Sequence, residues 1–224
     1  DKSNPNLTIK TRYFLPKKFV EALFSKYPGY SHKWLLVWRD IARATDERTC
    51  IATVIPRVAA SRTCPALGFN HDVNPSVLLA NLNSIVFDYM ARQKVCGMHF
   101  NWTIIRQLPI LPPESYTEKD IEFITPRVLE LVYTAWDMHP FAEDIWKDSD
   151  EKMRELIIKQ WESSQQANNS ITNYQLPTTD YQLKTFIWNT QRRNLIRAEL
   201  DAYYAKLYGL TRDELRYILD PSDV

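Results

Sequence analysis

The chain has 224 residues, 45% of them apolar and 25% charged, a globular balance long enough to bury a core without disulfide or metal staples. Gly29, Gly68, Gly97 and Gly209 are its four glycines and never lie closer than 29 residues apart, which excludes a G-x-G-x-x-G turn, a P-loop and the dinucleotide, S-adenosylmethionine or nucleotide-phosphate cradles built on them. The net charge of +1 conceals a division: residues 1–113 hold 15 Lys and Arg against 7 Asp and Glu, whereas residues 114–224 hold 13 against 20.

Pro16 suits a first helical turn, and Phe19, Val20, Leu23, Phe24 and Tyr27 recur at helical spacing before Pro28-Gly29, which predicts a short amphipathic helix. Residues 34–41 and 49–55 are rich in aromatic and β-branched side chains. The polar residues 44–48 between them predict a β-hairpin with a charged tip, and residues 57–67 a third strand. Asn74 and Pro75 read as cap and first residue of a helix that is apolar almost all round through Met90, and therefore buried. Residues 92–102 read as a polar loop, residues 103–110 as a strand, and the Leu-Pro-Ile-Leu-Pro-Pro run ending at Pro113 as a domain boundary.

Beyond it the pattern is helical. Thr117-x-x-Asp120 resembles a capping box, and Ile121, Ile124, Val128, Leu131 and Ala135 form an apolar seam. Residues 149–162 predict a second helix, residues 163–179 a polar loop, Ile196, Leu200, Tyr203 and Leu207 a third helix closed by Gly209, and Thr211-x-x-Glu214 a last short one. The expected fold is α+β: a basic domain, residues 1–113, with a small mixed sheet, hairpin and buried helix, then an acidic helical region, residues 114–224.

Few chemistries find their residues. Cys50, Cys64 and Cys96 form no C-x-x-C and read as reduced thiols; His32, His71, His99 and His139 are scattered singly, so no metal site is expected. The sequence is read as lacking an Asn-Pro-Pro-Tyr base-flipping turn, a G-x-S-x-G elbow and a metal nuclease's acid-x-Lys set, hence as carrying no catalytic residues. The longest apolar run, Trp34 to Trp38, is too short to span a bilayer, which predicts a cytoplasmic protein without a membrane partner.

What remains is rich in arginine. Arg39 and Arg43 precede the hairpin tip, Arg48 follows it, and Arg57 and Arg62 lie on the next segment; Arg92, Gln93, Lys94, His99, Asn101, Trp102 and Arg106 form a second group. Arginine pairs bidentately with guanine or phosphate, amides read adenine and an aromatic stacks on bases, so both groups are candidate DNA contacts. The competing reading is surface ion pairing, for instance of Arg43 or Arg48 with Asp46 or Glu47.

The runs Trp38-Arg-Asp-Ile-Ala-Arg-Ala-Thr-Asp-Glu-Arg-Thr-Cys-Ile-Ala-Thr-Val-Ile-Pro56, Leu78-Leu-Ala-Asn-Leu-Asn-Ser84, Phe87-Asp-Tyr, Arg92-Gln-Lys and Arg106-Gln-Leu-Pro-Ile-Leu-Pro-Pro113 resemble the C-terminal target-recognition region of large N6-adenine DNA methyltransferases of restriction-modification and phage-defence systems. The tail from Arg193 to Leu219 looks like the helical end of the same enzymes. The resemblance implies recognition of double-stranded DNA beside a catalytic methyltransferase domain of the same parent chain. That domain would hold S-adenosylmethionine, leaving this segment without a cofactor or an activity of its own. The alternative is a protein-interaction scaffold that touches no nucleic acid.

Overall fold

The computed structural model describes residues 4–7, 14–27, 29–43, 46–68, 73–168 and 183–220. The fold is α+β, with helices α1 (Lys17–Phe24), α2 (Pro75–Asn83), α3 (Ile85–Lys94), α4 (Trp102–Ile105), α5 (Glu118–Val132), α6 (His139–Asp148), α7 (Glu151–Gln166), α8 (Thr190–Leu207) and α9 (Arg212–Leu219). Among the described residues a small sheet comprises β1 (Trp34–Trp38), β2 (Ala52–Pro56) and β3 (Ala66–Leu67), in the order β2-β1-β3. β1 and β3 run antiparallel with Leu36 opposite Leu67, so the sheet is antiparallel where a mixed one was expected.

The third strand is far shorter than residues 57–67, and it pairs with β1, not with the neighbouring β2. The predicted long helix is two. Ser84, extended at φ −69° and ψ 149°, ends α2, and its Oγ accepts the Phe87 N–H to cap α3. Residues 103–110 are no strand: Asn101 caps α4 by accepting the Ile104 N–H, a local bond that overrides the β-branched composition. Helix α6 has no counterpart in the sequence reading. The capped termini agree with it: Thr211 and Glu214 form a reciprocal capping box, and Gly209 adopts φ 74° after α8. Of the hairpin tip, residues 44–45 lie outside the described residues, as do residues 169–179 of the polar stretch.

Two compact units interleave along the chain and do not coincide with a division at Pro113. The first comprises residues 1–35, 54–59 and 125–193; the second comprises residues 36–53, 60–124 and 194–224. In the first, Tyr133, Phe141 and Ile157 are fully buried, and Trp34 meets Phe141 edge-on at 5.0 Å. Its buried Glu130 accepts from Arg192 and from Gln160 at 2.6 Å, which satisfies the carboxylate within the core. In the second, Leu36, Trp38, Leu82, Phe87, Phe100, Ile124 and Tyr204 form the core. Asn83 there bonds both the N–H and the C=O of Ala52 at 3.0 Å, tying α2 to the start of β2.

Candidate nucleic-acid interface

Ten of the eleven candidate contact residues belong to the second unit: Arg39, Arg43, Arg48, Arg62, Arg92, Gln93, Lys94, His99, Asn101 and Arg106. After β1 the chain stays extended and pairs with residues 98–100: Ile41 bridges His99, Ala42 N–H donates to Met98 C=O at 3.0 Å, and Phe100 N–H donates to Asp40 C=O. Alternation along an extended backbone then sorts the side chains by face. Asp40, Ala42 and Phe100 are buried, whereas Ile41, Arg43, His99 and Asn101 are exposed and Arg39 is partly so. Four of the candidates are thus brought onto one outward face of two paired segments.

Three arginines are committed within the unit. Arg39 Nη2 donates to Asp46 at 2.7 Å and to Arg48 C=O at 3.1 Å. Arg92 donates to Asp88 at 2.9 Å and to the backbone carbonyls of Asp46 and Glu47 at 2.6 Å each. Arg48 pairs with Asp201 at 2.5 Å, with both side chains largely buried. Burial raises the Asp201 carboxyl above its usual range, against the pull of Arg48 and of the Ile85 N–H. These three side chains brace residues 46–48 and are structural contacts in this fold; all three are ion-paired, Arg39 with Asp46 but Arg48 with the distant Asp201 and not with Asp46 or Glu47, whereas the guanidinium of Arg43 has no carboxylate partner among the described residues.

Beneath them lies Asp88, wholly buried, accepting the Thr49 and Cys50 N–H groups at 2.6 and 2.8 Å. Burial first, and Asp88 second, push the Cys50 thiol up, which favours the protonated thiol. Asp40, Asp88 and Asp201 lie in no motif that would mark them in the sequence. Only the four-residue spacing of Asp88 and Arg92 along a helix signals a pair.

Arg43, Arg62, Gln93, Lys94 and Arg106 are exposed, and none is ion-paired among the described residues. Gln93 and Lys94 end α3, and Arg106 lies 5.4 Å over the Trp102 ring. His99 is 54% exposed, and its Nδ1 is 2.7 Å from Asp40, a buried carboxylate that orients the ring. Trp102 packs edge-on against Trp38 at 4.6 Å yet remains 38% exposed, so it anchors α4 and also reaches solvent. The eleventh candidate, Arg57, belongs to the first unit, where it donates to His32 C=O at 3.2 Å and lies over Phe24.

An acid-x-Lys spelling does occur, contrary to the sequence reading, at Asp148, Asp150 and Lys152. Asp150 is spent as the α7 cap, accepting the Met153 N–H at 2.7 Å, and no group of three His, Cys, Asp or Glu side chains among the described residues is placed to hold a metal. No described helix is long and apolar enough to cross a membrane. No protein-family model, curated protein or solved structure matches the chain.

Proposed function

We propose that the chain recognises double-stranded DNA through the second unit, as the target-recognition part of an adenine-specific methyltransferase of restriction-modification or phage-defence type. The observation that carries the reading is the division among the basic residues. Arg39, Arg48 and Arg92 are consumed in bracing residues 46–48, and Arg43, Arg62, Lys94 and Arg106 are left exposed without a carboxylate among the described residues. Exposed guanidinium groups in the same unit as Gln93, His99 and Asn101 would combine phosphate binding with base-edge readout. The link to adenine methylation rests on the sequence resemblance. In that setting S-adenosylmethionine, the transfer chemistry and a cytoplasmic location belong to the parent enzyme, whose catalytic domain is the proposed partner.

The competing reading is a protein-interaction scaffold, favoured by α1, where Phe19 and Leu23 are half exposed. Salt separates the two. Binding of a fluorescent 30-base-pair duplex should weaken from 50 to 200 mM salt, each neutralised phosphate adding about 0.9 to the slope of log affinity on log salt. No retention of duplex at the lowest salt would leave the scaffold.

A further inference from the structure

An ionised carboxylate accepts hydrogen bonds and donates none, and this fixes the state of an imidazole that it holds. Asp40, buried, lies 2.7 Å from Nδ1 of His99, so Nδ1 carries the hydrogen and donates it to the carboxylate. In the neutral ring Nε2 then bears a lone pair in place of a hydrogen. It has no hydrogen-bond partner among the described residues, and more than half of the side chain is exposed. The bridge between Ile41 and His99 puts His99 on the outward face with Ile41 and Arg43, while Ala42 and Phe100 turn inward. An acceptor is scarce among the exposed candidates. Arg43, Arg62, Lys94 and Arg106 offer hydrogens only, and Asn101 Oδ1 already receives the Ile104 N–H as the cap of α4, which leaves His99 and Gln93. In the major groove the donors that a protein acceptor meets are the exocyclic amino groups of adenine and cytosine, whereas guanine O6 and N7 and thymine O4 are themselves acceptors.

We infer that His99 selects an amino-bearing base, adenine or cytosine, at one position of the bound sequence, and that Asp40 is its positioning residue, holding the tautomer in which Nε2 accepts. The inference rests on the DNA reading and adds to it the chemical group that is read at this point of the surface. An arginine in the same place would select the opposite set of base edges, because it offers hydrogens where His99 offers a lone pair.

The test uses a 30-base-pair duplex that the full chain selects from a randomised pool, at mildly alkaline pH and low salt. Each adenine is replaced in turn by purine and each cytosine by 2-pyrimidinone, which removes the exocyclic amino group. At one position or more the native chain should lose about tenfold in affinity. His99→Ala, at an exposed position, should bind the unmodified duplex more weakly and lose under about twofold on the same replacement. Asp40→Asn, whose amide both donates and accepts and so releases the tautomer, should lose about threefold, thermal melting confirming that each variant is folded. Selection of a defined sequence with no amino-dependent position, or a tenfold loss retained by His99→Ala, would overturn the assignment and leave DNA recognition standing. The full loss retained by folded Asp40→Asn would overturn the role given to Asp40. Failure to select any sequence would remove both readings.

Discussion

Arg48 and Asp201 stand 153 residues apart in sequence and 2.5 Å apart in space, and the same carboxylate receives the Ile85 N–H at 2.7 Å. One ion pair thus joins the segment after β1, the N-terminus of α3 and the middle of α8. Arg48→Ala leaves a largely buried carboxylate without its cation and is expected to cost about 3 kcal/mol in urea unfolding. Arg43→Ala, at an exposed position, should leave stability within about 0.5 kcal/mol and weaken duplex binding. Equal stability of the two variants would show that the Arg48 pair is effectively solvated.

Asn101 serves α4 as its cap, so Asn101→Ala should cost about 1 kcal/mol whatever it does to DNA. Gln93→Ala is the cleaner probe of base reading. It should lower binding to a cognate duplex without shifting the melting temperature, and retained cognate affinity would remove Gln93 from the contact set.

The two tryptophans in edge-on contact should differ. Trp38 is 1% exposed and donates to Phe100 C=O at 2.7 Å, so Trp38→Ala should cost roughly 3–5 kcal/mol. Trp102→Ala removes a side chain still open to water and should cost about 1–2 kcal/mol less. Parallel denaturation curves decide it, and equal losses would mean that Trp102 is buried in solution.

Glu214 supplies the pH dependence. The Thr211 N–H and hydroxyl, bonded to its carboxylate at 2.7 and 2.8 Å, hold it below the usual carboxylate range. A carboxyl depressed in the folded state stabilises above its unfolded titration and loses that contribution as pH falls through the folded one. Amide exchange in α9 should therefore quicken on acidification relative to α8, after correction for intrinsic rates, and Glu214→Gln, which removes the titrating group, should abolish the difference. A pH-independent α9 would show that the capping box does not persist in solution.

Sequence displayed what is local. Thr211-x-x-Glu214, Gly209 and the Asn74-Pro75 start each carry their own termination or capping chemistry, and the helices they bound appear where periodicity places them. The Ser84 break was hidden because Leu82 and Ile85 to Phe87 continue an apolar run across it. Residues 103–110 misled because β-branched composition says nothing of a cap one residue upstream of Trp102. Of the arginines, the sequence shows number and type. Which are free depends on carboxylates such as Asp201 that no window around Arg48 contains, and no spacing rule reaches them.

The three arginines that grip residues 46–48 would also shape what a partner meets there. Backbone carbonyls of Asp46, Glu47 and Arg48 are already engaged by guanidinium groups, so this stretch has little conformational entropy left to surrender on association. The Arg43 N–H donates to Asp46 at 3.3 Å, so on the proposed reading a ligand would meet a side chain whose own backbone is tied to that clamp. On the proposed reading, discrimination at Arg43 would reside in dissociation rates, because an anchored backbone adjusts little to a poorly fitting partner.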